Sequence, residues 1–278
     1  MLGDVLLISE KHERAGSQIV ARIDEIESDK VVVAIGGESG SGKSELAHVV
    51  ARALKDRGRL AKILHIDNYY KVPPQDREAW RKDHGIESIG LGEIDWDLLD
   101  EHLEAFHRGD RAVLPCIDLL TDQIDELHTD FAPIKVVIVD GLYPLHVDAD
   151  LRIFIDLTYH DTKKAQILRG KEPQNEHRLS VLKREHEVVQ SLRPLADFLV
   201  TPEGEVTGDT FSLEATSIYE FLLRGLRKHP KLNGPASPKG RKGLDLAAWL
   251  LKRGDHDEAA KILEAPSSPR GYRLEAEL

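Results

Sequence analysis

The sequence predicts an α/β fold, a mostly parallel sheet flanked by helices. Three observations predict it. Short β-branched apolar runs alternate with stretches of helical periodicity. A glycine-rich loop follows the first such run directly. Two further runs close on an acid, Asp67 and Asp140. Alternation of this kind makes βαβ units, and in such sheets ligands bind at the carboxyl ends of the strands.

The elements follow in order. Residues 11–28 read as an amphipathic helix, with Ile19, Val20, Ile23 and Ile26 near one face, and are expected to pack on the sheet edge. Lys30–Ile35 is a buried-type strand. Helical spacing runs from Ser44 to Arg57 and stops at Gly58. Leu60–Ile66 is a second strand, closing on Asp67. Asp95–His107 is a helix with its stop at Gly109. Ile134–Val139 and Leu151–Leu157 are strands, residues 160–170 and 179–196 helices, Phe198–Thr201 a short last strand, and 212–228 a final helix. Residues 1–229 thus form one domain, in which 1–29 is a helical lead-in. A Pro-, Gly-, Lys- and Ser-rich linker at 230–243 follows, then a helical hairpin and tail over 244–278.

Composition bounds what this domain does. The chain has 278 residues, 41% of them hydrophobic, enough to bury a sizeable core. A net charge of -11 argues against a general nucleic-acid or membrane-surface binder. Cys116 is the single cysteine, so no internal disulfide forms. With no apolar run of spanning length, the chain is expected to be soluble and cytoplasmic. The thirteen histidines lack the tight spacing of a metal site and read mainly as surface or turn residues, His102 and His186 among them.

Gly37-Glu38-Ser39-Gly40-Ser41-Gly42-Lys43-Ser44 has the G-x-x-x-x-G-K-[ST] spacing of a P-loop, with a strand before it and a helix after it. Glycines let successive backbone N–H groups turn inward on phosphate oxygens, and the positive end of the following helix faces the same anion. Lys43 reaches the outer phosphates, and the Ser44 hydroxyl suits Mg²⁺. A nucleoside triphosphate, ATP by default, is the expected ligand.

His65-Ile66-Asp67-Asn68-Tyr69-Tyr70-Lys71 and Val139-Asp140-Gly141-Leu142, taken with that loop, resemble the uridine kinase and phosphoribulokinase family. Weaker likenesses follow in the same order: Glu93-Ile94-Asp95, Gly109–Pro115, Arg169, Ser191–Pro194 and Ala196–Pro202. The resemblance implies a P-loop NTPase of nucleoside kinase-like fold, here with a short C-terminal helical appendage. It implies an ATP- and Mg²⁺-dependent kinase acting on a hydroxyl of a small metabolite: a uridine- or cytidine-type nucleoside, a sugar or a related compound. Asp67 is then the base, Lys43 and Arg169 neutralise developing charge, and Ser44 and Asp140 hold Mg²⁺. Tyr69, Tyr70, Asp95 and Asp118 are the candidate acceptor contacts. Lys171 and Arg178 are candidates to join Arg169. A homo-oligomer is compatible with the helix at 11–28.

The pattern also departs from that family. The nucleoside members carry an aromatic in the substrate loop, where this chain reads Pro115-Cys116-Ile117-Asp118. Trp96-Asp97 follows Asp95 where His-Pro is usual, and Ala165-Gln166 replace arginines ahead of Arg169. The acceptor end has therefore drifted from a uridine pattern. The alternative is a regulatory ATP-binding module without phosphotransferase activity. A GTPase is disfavoured, because Asn-Lys-x-Asp is absent.

Overall fold

The computed structural model describes residues 5–121, 123–162 and 176–208. Contacts divide the chain into a unit of Met1–Asp209 and one of Thr210–Leu278, and the described residues belong to the first. The helix expected at 212–228, the linker at 230–243 and the hairpin and tail at 244–278 lie outside the described residues. So does the part of the 160–170 helix beyond Thr162.

Strand β1 (Val31–Gly37) is central and wholly buried. Parallel β5 (Val136–Gly141) and β6 (Leu151–Ile155) flank it. Beyond β5 lies parallel β2 (Ala61–His65). Beyond β6 come parallel β7 (Phe198–Val200) and the short antiparallel β8 (Val206–Gly208), giving the order β2-β5-β1-β6-β7-β8. Side chains alternate across a strand, so the apolar runs feed two cores. Val31, Val33 and Ile35 face one with Val136 and Ile138, while Val32 and Ala34 face the other with Val137 and Val139. Burial on both faces is why these strands read as continuous apolar runs.

Helices α1 (Glu10–Asp24) and α2 (Lys43–Asp56) cover the first core through Ile19, Ile23, Leu46 and Val50. The opposite core takes Leu99, Leu103 and Phe106 of α4 (Trp96–Arg108), together with Val189 and Leu192 of α5 (Glu176–Leu192). Helix α1 lies between α2 and the β8 edge. There Gln18 Oε1 accepts the Val206 N–H at 3.1 Å, and Arg14 pairs with Glu205 at 3.0 Å. Gly109 ends α4 at φ 74°, as its position in the sequence leads one to expect.

Helix α3 (Pro74–His84), strands β3 (Arg111–Asp118) and β4 (Gln123–Asp130), and the short edge strand β8 after the expected last strand all escaped the sequence pattern. Helix α3 buries only the charged Arg81, so it carries no apolar period. Strands β3 and β4 form an antiparallel hairpin outside the main sheet, and β4 is exposed at every residue but Thr129. A strand solvated on both faces lacks the apolar alternation that marks a strand. Among the described residues no helix is long and apolar enough to cross a membrane.

Candidate active site

Strand register sets the site. Ile35 lies opposite Asp140, and Asp140 lies opposite His65, so the carboxyl ends of β1, β5 and β2 are level. The phosphate loop leaves β1, Asp140 closes β5, and Asp67 follows β2 in a 3-10 turn, Ile66–Tyr69. Gly141, at φ 152°, lets that turn approach: a Cβ there would stand 2.8 Å from Cβ of Ile66.

In the loop, Gly42 takes φ 95° as the N-cap of α2, a conformation L side chains avoid. Lys43 Nζ donates to the Glu38 carbonyl at 2.7 Å and so lies across the loop. The Ser44 hydroxyl donates to Asp140 Oδ2 at 2.9 Å. Asp140 is 2% exposed, and His65 Nδ1 stands 2.5 Å from its Oδ1, in ion-pair range without hydrogen-bond alignment. A buried carboxylate oxygen lacking a hydrogen bond, beside a serine hydroxyl, is a donor set that fits Mg²⁺. That ion takes one or two protein oxygens and leaves its other positions to water and phosphate. The glycine-lined backbone cradle fits a triphosphate for the same reason it fits no side chain.

Glu38 has a role the spacing did not suggest. Its backbone belongs to the loop, while its buried carboxylate accepts from three groups: the Tyr159 N–H at 2.6 Å, His186 Nδ1 at 2.7 Å and Gln190 Nε2 at 2.7 Å. The Ser39 carbonyl accepts from Thr162 Oγ1 at 2.7 Å. The first half of the loop is thereby fixed to α5 and to the 158–162 turn. Only the assembled tertiary structure brings His186 and Gln190, about 150 residues away, to Glu38; no sequence signal pointed to them.

The Asp67 turn is held by its other side chains. Ile66 is fully buried, and Asn68 Oδ1 accepts the Ile117 N–H of β3 at 3.1 Å. The Asp67 carboxylate makes no hydrogen bond or ion pair with a described side chain, and the residue is partly exposed. Its charge is felt by Tyr70, whose phenol is pushed well above the ordinary range, first by burial and then by Asp67. Tyr70 carries the Arg77 guanidinium over its ring at 3.6 Å. Behind this pair, Arg81 makes a bidentate contact with Glu93 at 2.6 and 2.9 Å and reaches Glu185 at 3.4 Å. Burial alone would lower the Arg81 pKa, but the Glu93 hydrogen bonds and the Glu185 charge outweigh it and raise it. The ion pair is buried because both partners are fully engaged.

The other acceptor candidates fare differently. Tyr69 is corrected to a core anchor: it is 2% exposed and its hydroxyl meets His102 Nδ1 at 3.0 Å. His102, expected at the surface, is itself buried, and burial holds its pKa below the ordinary value. Asp95 is a helix cap whose Oδ1 accepts the Leu98 N–H at 3.1 Å. Asp118 stands at the hairpin turn and accepts the Leu120 N–H at 2.8 Å. Arg178, a candidate companion to Arg169, pairs with Glu185 at 3.7 Å. Arg169 and Lys171 lie outside the described residues.

Residues 32–168 match the Phosphoribulokinase / Uridine kinase family. That match spans just under half of the chain. The uridine kinase of Mycoplasma pneumoniae (strain ATCC 29342 / M129 / Subtype 1) is 29% identical over 215 residues, which span 72% of this chain and 95% of that protein. The uridine kinase of Staphylococcus aureus strain JH9 is 29% identical over 69% of this chain and 97% of its own length. A bifunctional alpha-galactosidase/sucrose kinase of Mediterraneibacter gnavus is 30% identical over 64% of this chain but only 21% of its own. These matches support a small-molecule kinase. Helix α1 lies entirely before the family-matched stretch.

Proposed function

We propose that the chain transfers the γ-phosphoryl group of ATP to a hydroxyl of a small metabolite, with Asp67 as the base. The observation that carries this is the strand register. It puts the phosphate loop, Asp140 and the Asp67 turn at one level, on adjacent carboxyl ends. The acceptor oxygen attacks the γ-phosphorus and forms the new P–O bond. The bond to the β-phosphate oxygen breaks, ADP leaves, and the hydroxyl proton passes to Asp67. Lys43 holds the outer phosphates and offsets the charge that builds on them. Ser44 and Asp140 would hold Mg²⁺, which supplies charge neutralisation across the phosphates when bound.

On the acceptor side, the Tyr70–Arg77 stack and the hairpin residues near Ile117 replace the aromatic of the nucleoside pattern. That favours a polar, hydroxyl-bearing acceptor over a stacked pyrimidine. The test is to incubate the protein with ATP, Mg²⁺ and pooled nucleosides, sugars and polyols, and to look for a compound that gains the mass of one phosphate. Binding of ATP with no product from any pool would turn the reading toward a regulatory nucleotide-binding module. Near-normal turnover by Asp67→Asn would remove Asp67 as base.

A further inference from the structure

We propose that Arg77 selects the acceptor by binding the carboxylate of a hydroxy-acid substrate. The inference deepens the phosphotransfer reading above and rests on it. Among the described residues, Arg77 differs from every other arginine. The others, from Arg14 at the β8 edge to Arg193 after α5, each have an ion-pair partner. Arg77 has none there. Its guanidinium donates to the Val72 carbonyl at a long 3.4 Å, and its Nε is buried without a hydrogen bond. A half-buried guanidinium loses water from its donors, which is unfavourable unless a partner replaces it. Arg77 also stands in the first turn of α3, at the positive end of the helix dipole, where a cation is disfavoured. Both costs fall away if an anion binds.

The cation sits at the acceptor end. The chain leaves the Asp67 turn through Tyr70, bends at Val72-Pro73-Pro74 into α3, and brings Arg77 back over the Tyr70 ring at 3.6 Å. That ring is a fixed platform. Tyr70 bridges to Ile94, and the Lys71 N–H donates to the Glu93 carbonyl at 2.9 Å. Burial pushes the Tyr70 phenol up first; Asp67 adds to the rise and Arg77 works against it. The proposed base and the guanidinium thus act on one side chain. Stacking holds the guanidinium in place and leaves donors on its edge for a ligand.

The surrounding charges choose the class of anion. Behind the ring, Glu93 and Glu185 are matched by Arg81 and Arg178, so that cluster adds no excess of either sign. One guanidinium remains, beside the carboxylate of Asp67. A phosphate dianion would bring a second negative charge that nothing there offsets. A neutral polyol would leave the guanidinium unanswered. A carboxylate matches it in charge, and its two oxygens match the planar fork of N–H donors. The acceptor is therefore a hydroxy acid, with its carboxylate at Arg77 and the reacting hydroxyl at Asp67.

The test gives the full chain ATP and Mg²⁺ with separate pools: aldonic acids such as D-gluconate, the amides of the same acids, sugar phosphates, and uncharged sugars and nucleosides. Phosphorylated product is expected from the acids, with kcat/KM about 100-fold above the amides, which keep the hydroxyls and lose the charge. Arg77→Met should raise KM for the acid about 30-fold, with kcat within about threefold and KM for ATP within about twofold of wild type. Its melting temperature should fall by no more than about 3 °C, since no ion pair is lost. Arg77→Lys, which keeps the charge without the fork, should recover part of the affinity. Amides turned over as well as acids, or an unchanged acid KM in Arg77→Met, would overturn the proposal. So would a preference for sugar phosphates, or product from sugars or nucleosides and none from acids. The acid-to-amide ratio is read on wild-type protein, so it decides the matter even if Arg77→Met loses its fold. No product from any pool would overturn the phosphotransfer reading itself.

Discussion

The proposed donor and acceptor ends of this site are built by different means. The donor end is mostly backbone: a loop of glycines between a buried strand and a helix, closed by Ser44 on Asp140 and braced through Glu38 by three hydrogen bonds. The acceptor end is side chains from scattered elements. Asp67 comes from a 3-10 turn, Arg77 from α3 and Asn68's partner Ile117 from a solvated hairpin. Backbone geometry binds any triphosphate alike, whereas side chains choose the acceptor.

The largest expected effect separates the two ends at once. Asp67→Asn should lower kcat by roughly 10²–10⁴-fold, the usual worth of a positioned general base. The ATP dissociation constant should stay within about twofold of wild type. A parallel loss of ATP affinity would mean the ends are not separate.

Next comes the scaffold behind the acceptor end. Arg81→Met strands the carboxylates of Glu93 and Glu185 in the interior and should cost about 3–5 kcal/mol. For a domain of this size, that lowers the melting temperature by roughly 10 °C. Thermal denaturation checks it, and a change under about 1 kcal/mol would show that the cluster is well solvated.

Tyr69→Phe should cost about 1–2 kcal/mol, because it leaves Nδ1 of buried His102 without its partner. The KM for the acceptor should not move, in contrast to Tyr70→Phe. The same histidine gives a pH signature. Burial depresses its folded pKa below the ordinary 6.5, so the unfolded chain binds the proton first. The stability His102 contributes is complete above the unfolded value and is lost as pH falls below it toward the folded value. Denaturant midpoints between pH 7 and 5 should fall more steeply for wild type than for His102→Gln. Equal slopes would place the proton uptake elsewhere.

The smallest effect concerns Asp95. As a helix cap, its replacement by Ala should cost about 1 kcal/mol with unchanged acceptor KM. A rise in KM beyond about tenfold would restore it to the acceptor site.

The sequence by itself determined the loop proposed to hold the donor. A P-loop needs consecutive glycines between a strand and a helix, all local in the chain, and the buried strands announce themselves because both faces are apolar. It also placed Asp67 and Asp140 correctly at strand ends, since runs of β-branched residues stop where the chain turns. Tertiary structure alone decided what depends on distant partners. Tyr69 and Tyr70 are adjacent and chemically alike, yet one meets His102 in the core and the other carries Arg77. Asp95 became a cap because its oxygen finds an N–H three residues on. Glu38 looked like one more loop residue until α5 brought His186 and Gln190 to it. Helix α1 looked like edge packing until its first turn came to rest between Gly42 and Gly204. Periodicity records which face of an element is buried, but not which neighbour it is buried against, and polar specificity lives in that second fact.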